Sequence, residues 1–298
     1  MEKNKKMKRT SIIGTIAVLI VVCVAFCVES CGKKEQSKTE TAEPSKPKPL
    51  NISILIDLSD RIANTTDNMP QYQKDIELIE HIVEQMKEKA VRSRMLCDDR
   101  LRVLFFPTPD LEDISGISKE LQINMHCEKR EEIATLKQKL LQIDSVFCTN
   151  LDLIYQKSLE KGEFKGADIW GFFQNEVEDL CIDADCRNIL IILTDGYIYH
   201  QDHKVVEDGR CSWVLENMLR QNPDLRLLNP LSEGKKISNL EVLMLEVDSG
   251  DPKLEESLKN LLVEWLKDMG IEKNKVLLTK LPDRTTTKID DFIGWKEE

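Results

Sequence analysis

Two runs constrain the fold of this chain more than anything else in it: NISILIDLS at residues 51–59 and RNILIILTDG at residues 187–196. Each is a short stretch dominated by Ile and Leu and bounded by turn-forming residues. Neither shows the polar–apolar alternation of a strand with one wet face. A strand apolar on both sides must be covered on both sides, which calls for a parallel sheet with helices packed on each face.

The rest of the body alternates in the way such a sheet requires. Ile76, Ile79, Ile82, Val83 and Met86 recur at helical spacing and predict an amphipathic helix from Met69 to about Arg94. LRVLFFP predicts a second strand stopped by Pro107 and Pro109, and LQINM a short one. Glu128 to about Lys161 reads as helix, with an interruption expected at Cys148-Thr149-Asn150. FKGADIWGFFQNEVEDL opens on a glycine turn, and Asp168 is placed to cap a helix carrying Ile169, Phe172, Phe173, Val177 and Leu180. LEVLMLEVD and KVLLT supply further strands, Pro252 to Met269 a helix, and the chain from about Thr285 a short terminal helix. The expected fold is a doubly wound α/β domain with a mostly parallel sheet, spanning residues 50–298.

Residues 1–31 differ in kind. MEKNKKMKRT is basic, and the seventeen residues from Ile12 to Val28 are apolar apart from Gly14 and Thr15. That is the layout of an export signal, and it falls short of the roughly 20 residues a relaxed membrane helix needs. The run closes on VESC, which resembles the lipobox of bacterial lipoproteins. The resemblance implies cleavage before a lipidated Cys31, with Val28 and Ser30 at the flanking positions and Glu29 as a departure. An uncleaved signal anchor is the alternative. Both readings place the body in the cell envelope, outside the inner membrane. Residues 32–49 are polar, with three prolines and no apolar period, and read as a tether.

Charge narrows the partners. The first thirty residues hold five of the 42 Lys and Arg but only two of the 53 Asp and Glu, so the rest is more acidic than the overall −11. An acidic body repels nucleic-acid phosphates and argues against them as the main partner. Six cysteines follow Cys31, and an exported body permits disulfides. Cys181 and Cys186 are the nearest pair in sequence, and no CxxC points to zinc or redox chemistry.

Both apolar runs end in a carboxylate, Asp57 and Asp195. Ligands of open parallel sheets bind beyond the carboxyl ends of the strands, where the strand order reverses. Ser59 adds a hydroxyl two residues after Asp57. Such hard oxygen donors suit Mg²⁺ or Mn²⁺ and, less well, Ca²⁺. His200 and His203, in YIYHQDH, have no third ligand nearby in sequence and read as surface residues.

ILIDLSDRI followed by NILIILTDG resembles the von Willebrand factor A domain with its metal-ion-dependent adhesion site. That family carries DxSxS after its first strand, a threonine on a middle loop and an aspartate in a T-D-G turn after its fourth strand. The resemblance implies that Asp57 and Ser59 ligate a metal and that Asp195 supports it through water. Arg61 stands where the family has a second hydroxyl. A guanidinium only donates and cannot ligate a cation, so Arg61 is expected to pair with Asp60 or to turn outward. On the outward reading the Arg61 segment meets a partner's carboxylate directly. The middle-loop position falls on Asp168, beside Ala167 in place of the threonine, or alternatively on Thr149 in CTNLDLIY.

Three functions follow as expectations. A membrane-tethered module would bind a protein partner whose carboxylate completes the metal's coordination. A scaffold lipoprotein would carry a decayed, metal-free site. A metal-assisted phosphohydrolase would use Asp57 as nucleophile or ligand, but it lacks the acid usually found two residues later, and no Ser-His-Asp or Cys-His set accompanies it.

Overall fold

The computed structural model describes residues 47–66, 68–278 and 282–295. The segment read as an export signal, Cys31 and most of the segment read as a tether lie outside the described residues. In chain order the principal elements are β1 (Leu50–Ile56), α1 (Gln71–Arg92), β2 (Arg100–Phe105), α2 (Ile114–Glu120), β3 (Gln122–Asn124) and α3 (Arg130–Lys161). They continue with α4 (Ile169–Asn175), α5 (Val177–Cys181), β4 (Arg187–Leu193), α6 (Glu216–Gln221), β5 (Glu241–Val247), α7 (Glu255–Asp268), β6 (Asn274–Leu278) and α8 (Pro282–Ile293). No helix among the described residues is long and apolar enough to cross a membrane.

These strands form one six-stranded sheet in the order β6-β5-β4-β1-β2-β3. All neighbours are parallel except β2 and β3, which are antiparallel. The chain builds outward from β1 to β3 on one side, then returns to place β4 against the other side of β1. The order therefore reverses between β1 and β4, and that is where a doubly wound sheet opens a crevice at its carboxyl edge.

The two apolar runs behave as their composition requires. In β1, Ile52, Ile54 and Ile56 pack into the core on the side of α1, α3 and α8, while Leu55 packs into the core on the opposite side. In β4, Ile189, Ile191 and Leu193 face the first core, and Leu190 and Ile192 the second. The second core is completed by α4 and α7, where the Phe173 and Trp265 rings meet edge to face at 5.2 Å. Trp170 and Trp265 both donate their indole N–H to the Leu228 carbonyl, at 2.8 and 3.0 Å, so these large rings are buried without an orphaned donor.

Several boundaries differ from expectation. Helix α3 runs through Cys148-Thr149-Asn150 without a break, because Phe147, Leu151, Ile154 and Tyr155 continue the buried stripe on both sides of that triplet. The predicted helix after Asp168 divides at Glu176 into α4 and α5. The terminal helix starts at Pro282, ahead of Thr285.

Ile191 is fully buried at the centre of the sheet, whereas Leu141 on α3 is 78% exposed. Ile191→Ala should cost about 3–4 kcal/mol in denaturant unfolding, and Leu141→Ala less than about 0.5 kcal/mol.

Candidate functional site at the carboxyl edge

Strand pairing delivers the two predicted aspartates to adjacent strand ends. Ile56 lies opposite Leu193, and the Asp57 N–H donates to the Leu193 carbonyl at 3.0 Å. The residue just after β4, Thr194, donates its hydroxyl to Asp57 Oδ2 at 2.8 Å and accepts the Gly196 N–H at 3.1 Å. Asp57 and Asp195 each fold the chain back through the same local bond. Asp57 Oδ1 accepts from Ser59 N at 2.8 Å, and Asp195 Oδ1 from Tyr197 N at 2.9 Å. Such Asx turns are the usual way an aspartate ends a strand. Gly196 sits at φ +92°, with Val247, Leu258 and Leu262 packed where a side chain would go.

Asp57 is 2% exposed and Asp195 half-buried. Burial raises the Asp195 carboxyl, and the charge of Asp57 raises it further; the Tyr197 N–H and the Arg61 charge oppose both, and Asp60 adds a little more. The outcome is a group pushed up to about 7. With Asp57 fixed by two hydrogen bonds beside it, the raised carboxyl of Asp195 marks a rim where a second negative charge is hard to hold.

Arg61 is not at that rim. It is 2% exposed and lies beneath it, in the short 3₁₀ turn Asp60–Ala63 that follows β1. Its Nε donates to the Asp57 carbonyl at 3.1 Å, and one terminal nitrogen to the Leu193 carbonyl at 3.0 Å. The fork closes on Asp75 of α1, at 2.5 and 3.4 Å. Asp75 also accepts the Tyr155 hydroxyl from α3 at 2.8 Å and the Gln71 amide at 3.1 Å. Gln71 reaches on to Glu246 of β5 at 3.2 Å. Burial works against the guanidinium's charge, but Asp75 and then Asp57 outweigh it and the net shift is upward. Burial and Asp75 likewise push the Tyr155 phenol well up. The expected pairing with Asp60, or an outward turn toward a partner, is thus corrected. Two carbonyls and a carboxylate within reach of this five-donor group offset the cost of taking it out of water.

The other predicted residues divide. Ser59 is half-buried at the turn and Asp60 is exposed on the rim. Asp168 is at the end of β2, its N–H bonded to the Phe106 carbonyl at 3.1 Å. Both its oxygens have other work: one caps α4 through Gly171 N at 2.8 Å, the other meets His203 Nδ1 at 2.6 Å. Thr149 is exposed in the middle of α3, beside a groove shared with Tyr72 and Ile76 of α1, and is part of a helix layer, not of a strand end. The structure does not bring this alternative middle-loop residue to the strand ends. His203 is half-buried, edge-on to Trp170 at 5.0 Å, so it is more than a surface residue. His200 is half-buried as well, with neither ring nitrogen hydrogen-bonded.

Beside Asp57 a cleft of about 430 Å³ opens over the ends of β1 and β2, lined by Leu58, Phe105, Phe106, Phe164 and Lys165 among others. Its far wall needs Gly166 at φ +86°, because a Cβ there would come within 2.1 Å of the Tyr199 carbonyl. That contact packs the loop before α4 against the loop after Asp195.

As a cation site the donors fit in kind. Two carboxylates with the Ser59 and Thr194 hydroxyls suit a Mg²⁺ or Mn²⁺ that keeps several of its waters. They do not fit in number for a closed protein cage, since among the described residues no three His, Cys, Asp or Glu side chains converge. Thr194, Asp75, Tyr155, Gln71 and Glu246 were not singled out from the sequence. Thr194 was visible within T-D-G; Gln71 and Asp75 had a weaker signal, as polar residues on the side of α1 that should be apolar.

No family model matches the chain, and no curated protein does. Among solved structures, the chain is similar to the pilus adhesin SpaC from Lactobacillus rhamnosus GG, with a TM-score of 0.38 and 9% identity over 85% of this chain. The match spans 30% of the adhesin's length.

Two outcomes are expected from this geometry. Arg61→Met leaves Asp75 buried and unpaired and should cost about 3–5 kcal/mol, of which adding Asp75→Asn should restore a large part; urea unfolding of the single and double variants measures both. Asp195 holds its proton more tightly folded than unfolded, where a carboxyl titrates near 4. Its contribution is complete below about pH 4 and is lost as the pH rises towards about 7. Asp195→Asn should therefore flatten that decline and gain about 1–3 kcal/mol over wild type at pH 8.

Proposed function

We propose that residues 50–298 form a binding module of the von Willebrand factor A type, held in the cell envelope by lipid on Cys31, that takes a protein partner at its carboxyl-edge rim. One observation carries this reading: Asp57 and Asp195 stand at the ends of adjacent strands where the sheet order reverses, tied together through Thr194. A Mg²⁺ or Mn²⁺ held by Asp57, Ser59 and, through water, Asp195 would relieve the crowded negative charge. A carboxylate from the partner would complete its coordination, and the neighbouring cleft offers apolar contact around that anchor.

Since Arg61 is buried, direct capture of a partner carboxylate by its guanidinium is not part of this proposal. The same residue favours a second reading. A permanent positive charge beneath Asp57, with both Asp57 oxygens already hydrogen-bonded, supports a metal-free scaffold.

Titration with Mn²⁺ separates the two. For the cation-dependent module, saturating Mn²⁺ should raise the unfolding free energy of the wild type by about 1–3 kcal/mol at concentrations well above Kd. Asp57→Ala should show no such rise, and a chelator should reverse it. Equal responses of wild type and Asp57→Ala would overturn the module reading in favour of the scaffold.

A further inference from the structure

The six cysteines among the described residues are free thiols, and two of them are set opposite each other by strand register. In the β2–β3 ladder Arg100 faces Asn124 and Leu101 faces Ile123. The register continues beyond the ladder. Met125 N–H donates to the Asp99 carbonyl at 3.0 Å, and His126 Nδ1 meets Asp98 at 2.8 Å. Extended by one more step, the same register pairs Cys97 with Cys127.

Position type and facing agree with a bond. The hydrogen bond at 99–125 makes 97–127 a position of the same type, where paired Cα atoms lie about 5.5 Å apart. A disulfide spans roughly 4.4–6.8 Å between Cα atoms. Cys97 Sγ is 3.5 Å from Met125 Sδ, so it lies on the face that Met125 occupies; strand alternation returns Cys127 to that face. Both are half-buried. Three of the other thiols have different surroundings: Cys148 is beside Glu80, Cys181 against Ser53 and Cys186 against Asp183.

We propose that Cys97 and Cys127 are a disulfide-forming pair that clasps the antiparallel edge of the sheet. The oxidant is a small-molecule disulfide. One thiolate attacks its S–S bond and releases one thiol; the second thiolate then attacks the mixed disulfide and releases the other. The Cys97–Cys127 bond forms as the oxidant's bond breaks. The two protons and two electrons lost by the protein leave with the two released thiols. Burial pushes both thiols up, so exchange is best run in mildly alkaline buffer.

The test treats the full-length chain, purified in detergent, with glutathione disulfide at about pH 8.5, then alkylates and digests it without reduction. The expected product is one cross-linked peptide pair joining Cys97 to Cys127, lighter by two hydrogens than the sum of its parts. Dithiothreitol should lower the Tm of the oxidised protein by roughly 5 °C or more, with no such effect in Cys97→Ser or Cys127→Ser. Finding both peptides fully alkylated after oxidation, in protein whose circular dichroism shows it folded, would overturn the proposal. So would finding either cysteine paired predominantly elsewhere. Mapping on the wild type stands whether or not the serine variants fold.

Discussion

The ion pair between Arg61 and Asp75 is the interaction on which the carboxyl edge depends. It joins the turn after β1 to α1, and through the Asp57 and Leu193 carbonyls it also ties the ends of β1 and β4. Tyr155 brings in α3 and Gln71 extends the network to Glu246 of β5. Removing a guanidinium and a carboxylate from water is expensive, and Coulomb attraction alone does not always recover that loss. Here the remaining donors and acceptors are supplied by backbone carbonyls, a phenol and an amide, which is the condition under which a buried pair is tolerated.

That arrangement separates charge across a thin layer. The guanidinium lies under the sheet edge, while the buried Asp57, the half-buried Asp195 and the exposed Asp60 stand at the rim. The buried guanidinium partly offsets the mutual repulsion of the carboxylates, yet Asp195 still holds its proton into the neutral range. A rim of this kind is sensitive to protons and cations by construction, because either removes the same electrostatic strain. The Asp57 side chain, fixed by Ser59 N–H and the Thr194 hydroxyl, adds orientation to that charge.

Much of the fold was legible because burial on both faces leaves a plain mark: NISILI and NILIIL admit few alternatives to central parallel strands. The caps were legible for a similar local reason, as with Asp168, whose side chain bonds the Gly171 N–H three residues on. What could not be read was the direction of Arg61. Sequence places it one residue from Asp60 and fourteen from Asp75, and nearness in sequence favoured the wrong partner. Only the packing of α1 against the sheet brings Asp75 to the guanidinium. The same holds for Thr149, which a T-N-L pattern recommended and which helix periodicity placed on the outside of α3.

By itself, then, the sequence determined the doubly wound class and the delivery of Asp57 and Asp195 to strand ends, since both follow from local composition and from the pleat of single strands. Which strands are neighbours, which acid receives Arg61 and which carboxylates are left to face the rim were decided by the tertiary structure. Those outcomes depend on contacts between residues far apart in the chain, and on the rule that a buried charge takes whichever partner the packing brings within hydrogen-bonding distance.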